Sequence, residues 1–294
     1  MSRSKTLEYK GSKVTLFQFI RVWATIGLLS IGGPTAQIAL MQREIVEKRG
    51  WINQSQFLNA ISFCMLLPGP EAMQIATYAG WRLHGVNGGL VAGVLFILPG
   101  ALVMLGLSFL YVFYGTLGLV GSMFLGLKAV IVVVVVQSLV RLSKKVLKRN
   151  SHRVIAVLGF LGIFVLSLPF PLIIAGAGFY GLVCNYEAKP NNVSTTLPKS
   201  FATLNTIIIW NLIWWIPLVV IDFFSEDPLL PNIGYFFSKL ALVTFGGAYA
   251  VLAYMAQDVF GIFNWLSPEE MIDGLGLAET TPGPLILVTE FVGF

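Results

Sequence analysis

Residues 57–81 read FLNAISFCMLLPGPEAMQIATYAGW, an apolar stretch long enough to cross a bilayer but interrupted by Pro68-Gly69-Pro70. Proline lacks a backbone N–H, and Pro70 also biases Gly69 away from helical geometry. The stretch is therefore predicted to form two half-helices, the second starting at Pro70. Broken backbone at membrane depth is tolerated only where it is buried in protein or lines a wet cavity. A simple kink between packed helices is the alternative to a functional break.

The same motif recurs near the end of the chain as Pro282-Gly283-Pro284. Residues 30–78 match residues 244–292 without gaps at a constant offset of 214, and nine of these 49 positions are identical. The identities include Gly32-Gly33, which recur as Gly246-Gly247. Because Gly, Pro and Trp dominate the identities, we interpret the match as an internal repeat rather than as chance similarity between apolar segments.

The composition is that of a membrane protein. Of 294 residues, 56% are hydrophobic and 11% are charged, against roughly 25% charged in soluble domains. Long apolar runs alternate with short charged connections, which predicts a lipid environment. The net charge of +5 comes without a basic stripe of the kind that binds nucleic acid. Membrane segments are predicted at 17–31, 57–81, 86–113, 115–140, 154–168, 170–183, 203–221 and from about residue 233.

Charged connections predict the topology. The tail 1–13 and the connection 141–153 are rich in Lys and Arg and are expected in the cytoplasm, whereas the acidic connection 222–231 is expected outside. Seven crossings separate the starts of the two copies, and five remain if 17–31 and 57–81 are re-entrant. Both counts are odd, so the copies enter from opposite sides, as in secondary transporters. The predicted fold is an all-α polytopic membrane protein, an inverted-topology repeat with broken half-helices.

We divide the chain into three parts. Residues 1–13 form a cytoplasmic tail, 14–200 the first repeat with its connection, and 201–294 a spanning helix with an incomplete second inverted repeat. The second copy stops opposite Gly80 of the first. Since transporter halves usually match in size, we expect a complete second half to add on the order of a hundred residues.

Each break presents the start of a helix, where unpaired N–H groups and the helix dipole attract anions. Glu71 follows the first break, and there it either caps the helix or takes up a proton when substrate binds. Gly32-Gly33 allows a chain break or a close helix contact. The hydroxyls of Ser30 and Thr244 could face an oxyanion. The predicted substrate-binding residues are Gly32, Gly33, Pro68, Gly69, Pro70, Glu71, Gln74, Lys128, Gly246, Gly247, Thr281, Pro282, Gly283 and Pro284.

Ionisable residues within membrane segments are functional candidates because burying them is costly. Lys128 lies mid-segment, which predicts a functional role or a specific pairing. Arg21 is close enough to the start of its segment to snorkel. Glu44 is in register with Asp258. The candidates for coupling or charge pairing are Arg21, Gln37, Glu44, Asp258 and Glu279.

Other chemistries lack their sequence signals. There is no GxxxxGK[ST] motif for ATP, and neither Cys64 nor Cys184 lies in a metal or redox motif. A membrane enzyme would need clustered catalytic groups, yet the two histidines, His84 and His152, lie in connections. We therefore expect a transporter without cofactor or metal, and not an enzyme.

Residues 31–44, 67–81 and 84–101 strongly resemble the chromate ion transporter family, and the second break resembles the C-terminal half of its long members. The resemblance implies a bacterial inner-membrane protein that moves chromate, typically outward for resistance, with overlap for sulfate. Many relatives carry His where this chain has Gln37. The alternatives are transport of sulfate or another anion, and a truncated scaffold that transports nothing. Monomer and homodimer both remain open.

Overall fold

The computed structural model describes residues 14–115, 117–147, 150–166, 168, 170–183, 200–244 and 248–294, and their regular structure is entirely helical. Two π-helical segments (Gln42–Glu47 and Val259–Phe263) and a 3-10 turn (Leu285–Leu287) accompany the α-helices. The α-helices are α1 (Leu16–Leu29), α2 (Gly33–Met41), α3 (Gln54–Cys64), α4 (Glu71–Tyr114), α5 (Gly118–Val146), α6 (Asn150–Phe164), α7 (Phe170–Val183), α8 (Ser200–Phe224), α9 (Leu229–Val243), α10 (Ala248–Asp258), α11 (Pro268–Thr280) and α12 (Val288–Gly293).

Contacts divide the chain into two compact units. The first unit combines the described parts of 1–138 and 242–294, and so holds both Pro-Gly-Pro motifs. The second unit is 139–241, in which Gly162 of α6 faces Ile173 of α7. Through this contact the two short helices pack against each other.

The order of elements repeats along the chain. In the first copy a helix, α1, precedes α2, a π-helical segment, α3 and a break; in the second, α9 precedes α10, a π-helical segment, α11 and a break. Asn53 caps α3, accepting from Gln56 N–H at 2.7 Å, and Ser267 caps α11 in a capping box with Glu270. Both helix starts follow a tryptophan, Trp51 or Trp265, in the sequence.

The first Pro-Gly-Pro motif separates two helices, as predicted, because α3 ends at Cys64 and α4 begins at Glu71. The prediction that Pro70 is the first helical residue was wrong by one position. Pro70 has ψ 113°, which is extended, and it serves as the N-cap of α4. Gly69 has φ 114°, a left-handed value that a residue with a side chain rarely adopts.

The second motif differs from the first. The second half-helix was predicted to begin at Pro284, by the same argument as for Pro70, but residues 285–287 form a 3-10 turn before α12 begins. The N–H of Leu287 donates to the carbonyl of Pro284 at 3.0 Å, which tightens this turn. The N–H of Leu287 therefore has a partner within the turn, contrary to the prediction.

Helix α4 folds back on itself. His84 and Gly85 have non-helical backbone angles, so residues 71–83 and 86–114 form two helical arms, in agreement with the predicted boundary between segments. A Cβ atom on Gly80 would overlap the carbonyl oxygen of Gly88, and one on Gly88 would overlap that of Gly80. The two arms thus pack backbone to backbone at these glycines.

Two described helical stretches, Glu71–Tyr114 and Leu204–Phe224, are long and apolar enough to cross a membrane. Because α4 folds back at His84 and Gly85, its arm of residues 86–114 provides the long apolar helix. Shorter apolar helices include α1, α6 and α9. In α8, the described side chains are exposed almost throughout and are mostly apolar, a surface that lipid or protein must cover.

We predict that Gly80→Ala destabilises the protein by about 1–3 kcal/mol, because its methyl group would push apart the two arms of α4. Gly106→Ala, on the same helix, has open space around the added methyl group and is the matched control. Thermal unfolding in detergent should show a lower midpoint for Gly80→Ala only. Equal midpoints for both variants would contradict the close packing of the arms.

Candidate functional site

Within the first unit, a reciprocal pair of backbone hydrogen bonds joins each break to the other copy. The N–H of Gly69 donates to the carbonyl of Thr244 at 2.8 Å, and the N–H of Gly283 donates to the carbonyl of Ser30 at 2.7 Å. Ser30 follows α1, whereas Thr244 follows α9. The offset of 214 residues relates Ser30 to Thr244 and Gly69 to Gly283. Each break therefore pairs with a helix end of the other copy.

Two glutamine side chains hold carbonyl groups of the breaks. Nε2 of Gln37 donates to the carbonyl of Gly283 at 2.6 Å, and Nε2 of Gln74 donates to that of Pro68 at 2.6 Å. Carbonyl groups next to a helix break lack the partners that a continuous helix would supply. The second copy has Val251 and Val288 at the positions that correspond to the two glutamines. Only the first copy supplies these amides, so the two copies are chemically unequal.

Buried polar atoms around the two breaks retain unused hydrogen-bonding capacity. Ser30 is 0% exposed and Gln37 is 1% exposed. Among the described residues, Ser30 Oγ, Gln37 Oε1 and Gln74 Oε1 have no hydrogen-bond partner. Buried polar atoms in proteins are normally paired with protein or ordered water. This unused capacity makes the region around the breaks a candidate site for a polar ligand.

Helix α4 supports the second break directly. A Cβ atom on Gly100 would overlap the carbonyl oxygen of Pro282 and approach Leu287 Cδ1 to 2.6 Å. A residue with a side chain at position 100 would therefore displace the break. A Cβ atom on Gly27 of α1 would likewise overlap the carbonyl oxygen of Leu95 of α4.

Gly32-Gly33 is a chain break rather than a helix contact. Gly32, between α1 and α2, has φ 98°, and Gly33, the first residue of α2, has φ 81°. Their counterparts Gly246 and Gly247 lie outside the described residues. Thr281 ends α11, where its buried hydroxyl donates to the carbonyl of Ala278 at 3.1 Å.

The start of α4 has the features expected of an anion site. The N-cap residue, Pro70, has no side-chain group that could accept a hydrogen bond from this helix start, and residues 71–83 provide an arm long enough to carry a dipole. Glu71 is partly buried as the first residue of the helix, and Ala72 is buried. The choice between capping and proton uptake for Glu71 stays a prediction.

Lys128 has a specific partner that the sequence analysis missed. Its Nζ lies 3.2 Å from Oδ2 of Asp273, and the hydroxyl of Tyr111 donates to the same oxygen at 2.9 Å. These three residues line a cavity of about 470 Å³. Along α4, Tyr111 lies roughly 16 Å from Gly100 at 1.5 Å per residue, so this cluster is separate from the break that Gly100 supports. Asp273 lies within an apolar stretch of α11. An ionisable residue in an apolar stretch is the same signal that marked Lys128 as a candidate.

The predicted charge partners are dispersed. Arg21 is exposed on α1. Glu44 is buried between Lys48 Nζ at 2.7 Å and Arg49 Nη1 at 2.6 Å. In this polar turn, the hydrogen bonds from Lys48 and Arg49 outweigh burial and lower the pKa of the Glu44 carboxyl.

Asp258 is buried at the end of α10, and Glu279 is partly buried on α11. Among the described residues, no group of three His, Cys, Asp or Glu side chains is placed to bind a metal.

Sequence comparison matches residues 17–182 and 231–294 to the family described as "Chromate transporter". The chain belongs to the chromate transporter family. The two matched segments contain the two breaks. No solved structure matches the chain.

Three relatives show how far the similarity extends. The "Chromate transport protein" of Pseudomonas aeruginosa is 33% identical over 282 residues, which cover 91% of this chain and 64% of the relative. The "Chromate transport protein" of Cupriavidus metallidurans is 28% identical over 292 residues, which cover 95% of this chain and 67% of the relative. The "Probable chromate transport protein" of Synechococcus elongatus is 26% identical over 312 residues, covering 100% and 72%. The chain thus spans about two thirds of the length of these family members.

We predict that Gln37→Leu lowers the free energy of unfolding by about 1–3 kcal/mol, because the buried carbonyl of Gly283 loses its amide donor. Gln18 is exposed on α1, so Gln18→Leu is the matched control and should change stability little. Chemical or thermal unfolding in detergent measures both. A Gln37→Leu protein as stable as the Gln18→Leu control would show that the amide is not holding the second break.

Proposed function

We propose that this chain forms most of a secondary transporter that carries chromate outward across the bacterial inner membrane and thereby confers chromate resistance. The proposal is supported by family membership and by the relatives named as chromate transport proteins. Basic connections at 1–13 and 141–153 favour a cytoplasmic N-terminus. Residues 14–200 are assigned to the first repeat with its connection, and residues 201–294 to a spanning helix with the incomplete second inverted repeat.

The reciprocal hydrogen bonds from each break to a helix end of the other copy carry this proposal. A two-fold operation that exchanges the copies would convert the Gly69–Thr244 bond into the Gly283–Ser30 bond. Placed in the membrane plane, such an axis relates copies of opposite topology, in agreement with the odd number of predicted crossings. Two inverted halves that meet at broken helices near the midplane are the arrangement by which many secondary transporters expose a site to each side in turn.

The breaks have the chemistry to bind a tetrahedral dianion. In our proposal the oxyanion approaches the uncapped start of α4, where the N–H groups after Pro70 and the helix dipole favour negative charge. Gln74 and Gln37 keep the two breaks in place through their carbonyl groups. Lys128, paired with Asp273 in its own cavity, supplies positive charge elsewhere in the unit.

Transport can be tested directly with full-length protein in liposomes. We expect chromate flux above that of empty liposomes, and a roughly tenfold lower rate for Gly69→Ala and Gly283→Ala, because about 1–3 kcal/mol of backbone strain would oppose the break geometry. Gly106→Ala, which has open space, should transport at the unchanged rate. Each variant must first elute from size exclusion as the wild-type protein does.

The substrate alternatives give different results in the same assay. Sulfate flux faster than chromate flux would assign the protein to sulfate. Absence of flux for every oxyanion tested would contradict the transport proposal and favour a membrane scaffold.

A further inference from the structure

The Asp273 cluster contains a carboxylate with two unlike oxygens. Asp273 is 3% exposed. Its Oδ2 accepts from Tyr111 and pairs with Lys128. Its Oδ1 is buried and has no hydrogen-bond partner in the part of the chain that the structure describes. Oδ2 therefore interacts with the cation, whereas Oδ1 remains available to a proton.

Lys128 is the more accessible member of the pair. Its side chain is 33% exposed, against 5% for that of Asp273, and it borders a cavity of about 470 Å³. At about 30 Å³ per water molecule, this volume holds a tetrahedral oxyanion together with several waters. An anion that enters the cavity can reach the ammonium group while the carboxylate remains buried.

Once Lys128 is engaged elsewhere, the Asp273 carboxylate is left buried without a countercharge. Tyr111 of α4 and Lys128 of α5 face the carboxylate, and Glu270 of α11 lines the same cavity. Glu269 adjoins Glu270 on α11, Glu290 lies on the adjacent α12, and the intervening 3-10 turn carries no ionisable residue. A buried carboxylate that loses its countercharge favours its neutral form.

We propose that Asp273 is a proton-binding site that couples oxyanion movement to protons, a step that rests on the proposed transport function. An oxyanion in the cavity takes Lys128 away from Asp273, and Asp273 then binds a proton from the cavity water on Oδ1. Release of the anion and the proton restores the ion pair.

The charges balance in this cycle. The empty site holds one carboxylate and one ammonium group. The loaded site holds a neutral carboxylic acid, the ammonium group and the dianion, so one proton accompanies each dianion. The translocated charge is −1, and an inside-negative membrane potential therefore still favours outward movement.

Two measurements on the same liposomes, chromate exchange and pH-driven chromate accumulation, test whether Asp273 binds the coupled proton. With the membrane potential clamped at zero, a gradient of one pH unit should drive about tenfold accumulation of chromate by the wild-type protein, since one proton moves with each anion. Asp273→Asn keeps the side-chain shape but cannot bind the proton. We expect this variant to retain chromate exchange between the two sides and to lose the accumulation.

Glu270→Gln is the matched control. Glu270 lines the same cavity, but its carboxylate accepts from the N–H and hydroxyl of Ser267 as part of a helix cap, at 2.8 and 2.9 Å. Glutamine can fill that position of a capping box, so this variant should keep both exchange and accumulation.

Each other outcome has a defined meaning. Accumulation that persists in Asp273→Asn overturns the inference, as does wild-type flux that ignores the pH gradient. Loss of exchange together with accumulation in Asp273→Asn also overturns it, because Asp273 would then serve the fold or the anion path. Absence of any wild-type oxyanion flux would instead contradict the proposed transport function.

Discussion

The backbone of this protein is interrupted inside apolar sequence, and the groups released by the interruption need partners within the protein. Lipid supplies no hydrogen bonds, so each unpaired N–H or carbonyl group there carries a large free-energy penalty. The crossed bonds from Gly69 to Thr244 and from Gly283 to Ser30 meet this need at both breaks. Since each bond joins one copy to the other, neither break is completed within its own copy.

The same constraint explains why the two copies differ. In the first, the Gln74 amide binds the carbonyl of Pro68, and Gln37 reaches across to the second break. The second copy has valines at both corresponding positions and instead rests against Gly100 of α4. The surroundings of the two breaks therefore differ in polarity.

Sequence predicted the features that depend on local covalent chemistry. Proline and glycine placed the break before α4, and the boundary predicted between residues 81 and 86 coincides with the fold of α4 at His84 and Gly85. The sequence could not reveal contacts between distant segments. Ser30 and Thr244 drew attention for their hydroxyls, yet it is their carbonyl groups that bind the breaks. Asp273 was overlooked because its partner Lys128 is far from it in sequence. The 3-10 turn after Pro284 was not predicted because its residues, Leu and Ile, do not distinguish a 3-10 turn from an α-helix.

Solid-state NMR in lipid bilayers tests the crossed contact most directly. With serine labelled at the carbonyl carbon and glycine at the amide nitrogen, Ser30 and Gly283 should give a through-space correlation across their hydrogen bond. That correlation should disappear in Gly283→Ala, whereas the correlation between Ser122 and Gly126 within α5 should remain. A wild-type spectrum without a Ser30–Gly283 correlation would contradict the conclusion that each break is hydrogen-bonded to a helix end of the other copy.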